Sequence, residues 1–409
     1  MDKQTIFFCD LIKNVIHGNE QCQQDAEMNW TCLVQLAKEQ NLLPIFVEGA
    51  SKYPSYTARP EYMMELQETL AVVGAQVKRT EAFLKLYQSF ALVGIYPLVM
   101  KGLVCRGLYG NLSDHRPSGD EDILIRPEEY WCAKEVLMAN GYEPILEEDT
   151  ETKLEDIQEV SFIHPQERLH IELHLNAIGK EDDDRVRMNA RFQNVFEHGR
   201  EFEVRGVTIR TMSHDEHLLF LILHAFKHFT SSGLGVRQLL DILLYQKQYG
   251  AEIDFEKLSQ ILKDLKALAF WSDMIHVGNL YFGFDLQAPL KAQCPNDLLD
   301  NMMESGTFGS RNEAERIAAN TMRNARKGET AGKDVPSLIL IWKAIFPNKE
   351  YMLIHAPYLE EKPHLLPLAW MKRWGRFLKK SKRHEGNLAI DSVKTSRRRM
   401  KMLKKYDLI

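Results

Sequence analysis

Apolar positions along the chain keep one period at both ends and another in the middle. Over residues 1–92 they recur at helical spacing, most clearly in EYMMELQETLAVVGAQVKRTEAFLKLYQSFALVG, so this N-terminal region is predicted to be helical and to pack across whatever core follows. Residues 93–212 mix strand and helix patterns. Strands are predicted at 97–101, 121–126, 159–164 and 168–175, with a hairpin near 202–211. A helix over about 128–140 is closed by the Asn140-Gly141 turn signal. From Ser213 the helical period returns. Ser213 with Glu216 three residues on is a capping-box pattern ahead of HLLFLILHAFKHF. Further helices are predicted at about 236–249, 254–265, 266–282 and 335–346, while 303–333, rich in Gly, Asn and Arg, reads as a loop or weak helix. The implied organisation is an N-terminal helical region (1–92), a core (93–212), a C-terminal helical domain (213–380) and a basic tail (381–409). The fold class is α+β, a mixed β-sheet core flanked by N-terminal and C-terminal helical regions.

Length agrees with this division, since 409 residues hold two or three domains at ~100–200 residues each. A net charge of −5 gives no global reason to expect nucleic-acid binding. The charge is uneven. Residues 147–156 and 181–184 are acidic, the stretch from Lys372 to Lys405 is strongly basic, and the tail reads as disordered or as a lone basic helix. Trp370, Trp374 and Phe377 sit at helical spacing among the basic residues and read as one core-facing stripe. The six cysteines form no Cys-x-x-Cys pair and no zinc-finger spacing. The N-terminus lacks the apolar core of a signal peptide, and no run of ~18 apolar residues predicts a membrane span. A reduced, cytoplasmic protein is expected.

The candidate chemistry lies in Pro97 to Ile125, PLVMKGLVCRGLYGNLSDHRPSGDEDILI. An apolar strand ends in Lys101-Gly102, a short helical segment and a polar loop follow, and the next strand opens with Asp120-Glu121-Asp122. Alternation puts Asp120 and Asp122 on one face, where two carboxylates repel unless a cation sits between them. Further on, His170, Glu172 and His174 share one face of a predicted strand. That face reads in three ways: a third carboxylate for a metal site, a transition-metal site of His170, Glu172 and His174, or a hydrogen-bonded polar face. The backbone N–H groups at the Lys101-Gly102 turn attract anions, Lys101 could neutralise a phosphate, and Arg116 in the loop suits a bidentate phosphate contact. His217, His224 and His228, spaced by seven and four, share a face of one helix, with Lys227 beside them. Arg237 and Asp241 are spaced as an ordinary i, i+4 ion pair. No Gly-x-Ser-x-Gly elbow, Walker turn or Gly-x-Gly-x-x-Gly turn competes.

The Lys-Gly turn, the Arg before an Asp-x-Asp strand and the His-rich helix together resemble the nucleotidyltransferase superfamily. Within it they are similar to a group of bacterial proteins described as uncharacterised nucleotidyltransferases, over about Tyr96 to Phe377. The resemblance implies transfer of an NMP group from an NTP to a hydroxyl or phosphate acceptor: a small molecule, sugar, protein or RNA end. Asp120, Asp122 and Glu172 would hold Mg²⁺ (or Mn²⁺) and carry the catalysis, and Lys101, Gly102, Arg116 and Gly119 would hold the nucleotide. His174, His224, Lys227, His228, Arg237 and Asp241 would line the cleft. Two departures from the family pattern stand out. Leu103 replaces a Ser at the turn, and Glu121 replaces an apolar residue, expected at a sheet edge that water reaches. Two alternatives follow from these features: a binding protein that keeps the fold without the chemistry, and a zinc hydrolase centred on His170 and His174.

Overall fold

The alternating segments of the middle region pair into one seven-stranded mixed sheet of order β3-β4-β5-β2-β1-β7-β6. The strands are β1 Leu98–Val99, β2 Asp120–Leu124, β3 Glu143–Pro144, β4 Glu159–Ile163, β5 His170–His174, β6 Arg200–Val204 and β7 Val207–Thr211. The computed structural model describes residues 2–19, 28–145, 153–180, 182–231, 233–306, 362–372 and 401–408, with 346, 349, 352, 359 and 360 as single positions. The predicted helix at 335–346, most of 303–333, and Trp374 and Phe377 therefore lie outside the described residues. β1 is shorter than its apolar run, two residues pairing antiparallel with β2 and parallel with β7. β3 escaped the periodicity altogether, because two residues carry no period.

Helices surround this sheet: α1 Lys3–Ile16, α2 Trp30–Glu39, α3 Leu43–Ala50, α4 Pro54–Thr57, α5 Tyr62–Leu92, α6 Leu103–Gly107, α7 Tyr130–Ala139, α8 Asp183–Asn189, α9 His214–Ser231, α10 Val236–Tyr249, α11 Phe255–Asp264, α12 Leu268–Tyr281 and α13 Pro295–Ser305. Their starts follow capping chemistry. The Ser213 hydroxyl donates to Glu216 Oε2 at 2.6 Å and accepts from the Glu216 N–H at 3.4 Å, the predicted box ahead of α9. Asp254 caps α11 through Lys257 N, and Asp182, from the 181–184 acidic run, caps α8 through Arg185 N.

The sheet's two faces serve two cores. Val99, Ile123, Ile125, Phe162, Ile171 and Leu173 pack under α5 and α7 with Phe83, Tyr87 and Leu137. Leu98, Met100 and Leu124 point the other way, into the cluster built by α9, α10 and α12. The N-terminal helices split between these jobs: α1 to α3 extend the second cluster, whereas α5 covers the sheet. The basic tail ends in an unforeseen contact. Met402, Leu403, Tyr406 and Leu408 are buried in the second cluster, and Tyr406 donates to Asp273 at 2.9 Å. A few apolar residues among many lysines suffice for docking, because the lysine heads stay in water. Trp370 packs against the small cluster of Met352, Leu359 and Ala369. Among the described residues no helix is long and apolar enough to cross a membrane.

Candidate functional site

Strand register assembles the polar centre. β2 and β5 run parallel with Asp120 opposite His170, Asp122 opposite Glu172 and Leu124 opposite His174. β4 runs antiparallel on the far side of β5, with Glu159 opposite His174 and Ser161 opposite Glu172. Paired residues share a face, so Asp120, Asp122, His170, Glu172, His174 and Glu159 all point toward the side that α9 and α10 cover.

From that set, ligand atoms of Asp122, Glu172 and His174 lie within 4.8 Å of one another, and among the described residues no other trio of metal-binding side chains does so. Neither Asp120 nor His170 belongs to the trio. The zinc set centred on His170 and His174 is therefore not assembled: His170 faces Asp120 one step along the strands, and Asp122 takes the third place. Asp120 is half-buried, with the Ser118 hydroxyl 3.4 Å from its Oδ1. His174 is fully buried. Its Nε2 lies 3.4 Å from Asp122 Oδ1, 3.4 Å from Glu159 Oε2 and 3.6 Å from Glu172 Oε2. Its Nδ1 donates to the Asn176 carbonyl at 3.4 Å, which aims Nε2 at the acids. Glu159 was not singled out in the sequence; its register opposite His174 is the signal that would have found it.

Charge in this pocket is balanced by Lys101, whose Nζ lies 2.9 Å from Asp122 Oδ1. Burial alone would raise the Asp122 carboxyl, but Lys101 and then His174 outweigh it and hold it well below the usual range. Burial likewise opposes the Lys101 ammonium, and Asp122, Asp120 and Glu172 overcome it, so Lys101 stays charged. Burial opposes the His174 imidazolium too, but Asp122, Glu172 and Glu159 raise it to about 9. Burial, with Asp122 beside it, pushes the Glu172 carboxyl up. Asp122 Oδ1 and His174 Nε2 are buried and neither makes a well-formed hydrogen bond. Asp122 Oδ1 has the Lys101 ammonium beside it, and a divalent cation among these acids would take over that neutralising role and displace the His174 proton, so that Nε2 could ligate.

Above the acids, α9 brings His224 and His228, with their Nε2 atoms 3.2 Å apart. Burial and the nearby Lys101 keep both rings neutral, His224 far below its ordinary value and His228 down to about 3. Lys227 donates to Gln158 at 3.0 Å, next to Glu159. His217, one face-repeat earlier, donates from Nε2 to the Met100 carbonyl at 2.7 Å and so ties α9 to the end of β1.

Four expectations need correction. Glu121 is not at a wet edge: β2 is interior to the sheet and Glu121 is 1% exposed. Its carboxylate lies 2.7 Å from Arg106 Nη1 and accepts the Leu103 N–H at 2.8 Å. The turn does attract an anion, and the anion is the chain's own. Gly102 is required there for the same reason. It has φ +47°, and a Cβ would stand 1.9 Å from Glu121 Oε2, so Gly102 makes room for Glu121 rather than for phosphate. Arg116, expected on phosphates, is buried and forks onto Asp241, Nε at 2.7 Å and Nη2 at 2.6 Å, while Tyr109 donates to the same carboxylate at 2.9 Å. Asp241 thus turns to the loop rather than to Arg237, which donates to the Pro117 carbonyl. Gly119 continues the ladder, its carbonyl accepting from His170 N at 3.2 Å, and open space lies on its Cβ side.

A family model described as an uncharacterised nucleotidyltransferase matches residues 26–283. No curated protein and no solved structure matches the chain significantly.

Proposed function

Because the chain belongs to the uncharacterised nucleotidyltransferase family, we propose that it moves an NMP group from an NTP to a hydroxyl or phosphate acceptor with a divalent cation at Asp122 and Glu172. The observation that carries this reading is the convergence of ligand atoms of Asp122, Glu172 and His174 within 4.8 Å of one another, with Lys101 beside them. The bound ion would neutralise charge as pyrophosphate leaves and make the attacking oxygen more acidic. Asp120, on the same strand face, is the third acidic ligand in this reading. Lys101 neutralises Asp122 in the metal-free molecule and is the cation best placed for a triphosphate oxygen. With the Leu103 N–H taken by Glu121 and Arg116 taken by Asp241, Lys101 carries more of the phosphate binding than the turn does. Once the cation displaces the His174 proton, an imidazole among the donors favours Mn²⁺ over Mg²⁺, which prefers oxygen ligands.

Thermal unfolding with Mn²⁺ and each NTP tests the reading. The protein should be stabilised by metal and one NTP together, by about 2.7 kcal/mol at a hundredfold excess over Kd. Asp122→Asn should lose that gain, and transfer of label from an α-labelled NTP should fall with it. A second reading, a binding protein without the chemistry, draws on the same two occupied phosphate contacts. A melting temperature unmoved by every metal–NTP pair would favour it and overturn the first.

A further inference from the structure

Outside the acidic centre, α5 and the β4–β5 turn enclose a groove of about 930 Å³. Its floor is α5, where Ala71, Gly74 and Ala75 keep the surface low; a Cβ on Gly74 would meet nothing within 4 Å. Its walls carry Lys78, Arg79 and Lys85 from the helix and Arg168 from the turn. Four cations face two carboxylates, Glu81 and Glu167, and Glu81 is drawn off to Arg205 at 3.7 Å, so the groove is positive on a chain of net charge −5. The side chains of Lys78, Lys85 and Arg168 form no ion pair with a described residue. Arg79 Nε is buried without a hydrogen bond; burial, then Arg106 and Arg168, disfavour the Arg79 charge, and Asp120 partly offsets them. Cations in excess over their carboxylates favour an anion that completes them. Arg168 also sits at φ +50°, an uncommon conformation for a large side chain.

Arg79 joins the groove to the acidic strand. Its Nη1 donates to the Ser118 carbonyl at 3.3 Å, and the Ser118 hydroxyl donates to the Asp120 carbonyl at 2.8 Å. We propose that this groove, on the α5 side of the sheet, seats a small phosphate-bearing ligand, with Arg79 and Arg168 on the phosphate and Lys78 at the rim. Guanidinium groups suit the planar, bidentate binding of phosphate. The volume is at the upper end of small-ligand sites and holds a sugar phosphate rather than a long polymer. The phosphate site does not depend on the nucleotidyltransferase reading.

The test is calorimetric titration of the full chain with ribose 5-phosphate as probe, ribose as neutral control and a short single-stranded RNA as competitor. Ribose 5-phosphate should bind and ribose should not. Arg168→Gln and Lys78→Glu, both at exposed positions that leave the fold intact, should each weaken it about tenfold, the loss of one charge-assisted contact. Asp122→Asn should bind as the native chain does. Equal affinity in native, Arg168→Gln and Lys78→Glu proteins overturns the proposal, as does absence of binding. Loss in Asp122→Asn alone overturns it too, by placing the phosphate at the acidic centre. RNA binding that depends on these cations without sugar-phosphate binding replaces the small ligand by a polymer. If the groove binds the probe but no metal–NTP pair stabilises the protein, the phosphate site stands and only the nucleotidyltransferase reading falls.

Discussion

The Glu121 carboxylate and the Arg106 guanidinium lie 2.7 Å apart and are each 1% exposed. Arg106 also donates to Thr80 on α5 at 3.3 Å, so one ion pair joins the glycine turn, the central strand and the covering helix. Charge burial of this kind is tolerated only when both partners are present. Glu121→Gln keeps the shape but strands the guanidinium, and should cost about 3 kcal/mol or more. A lower urea midpoint at unchanged slope is the expected signature. If Glu121 instead lay in water, as an acidic residue on a strand would by default, the midpoint would barely move. Because the turn carries Lys101, the same variant should also blunt the stabilisation by metal and NTP.

At the scale of elements, the helical domain is held over the acids by side chains distant in sequence. Arg116 and Asp241 are 125 positions apart, yet they form the buried fork that fixes α10 to the loop before β2. Asp241→Asn leaves the Arg116 charge buried without a counter-ion and should cost about 3–5 kcal/mol. Arg116→Met combined with Asp241→Leu should recover much of that loss, and the double-mutant cycle measures the coupling. The limit of the sequence is visible here. Period and caps are local, so the strands of the acidic pair, the Ser213 box and α10 itself could be read directly. The convergence of Asp122 with Glu172 also followed, since alternation fixes the face and the family pattern supplies the neighbour. Spacing alone paired Asp241 with Arg237 four residues away, because a competing partner more than a hundred residues off leaves no local trace. Glu159 and the burial of Glu121 were hidden for the same reason: each depends on which strand lies beside which.

At the scale of the molecule, pH reaches the fold through α9, which must keep uncharged histidines against the sheet. His217 is fully buried, its Nε2 donating to the Met100 carbonyl and its Nδ1 3.1 Å from the Thr211 hydroxyl. The ring packs on Tyr245 of α10 at 4.9 Å between centroids. Burial, with Arg200 of β6 and His214 of α9 adding to it, lowers its pKa to about 3. The unfolded chain takes up a proton near pH 6.5 that the native chain refuses until about pH 3, so protons favour unfolding between those limits. The contribution is complete above pH 6.5 and falls as pH drops, by about 1.4 kcal/mol per unit. His217→Gln can keep the donor to Met100 while removing the titration, so its stability should fall less steeply between pH 6 and about pH 4 than that of the native protein. Parallel slopes for the two proteins in urea titrations across that range would mean that His217 is already charged when folded, and that α9 docks on β1 through an imidazolium.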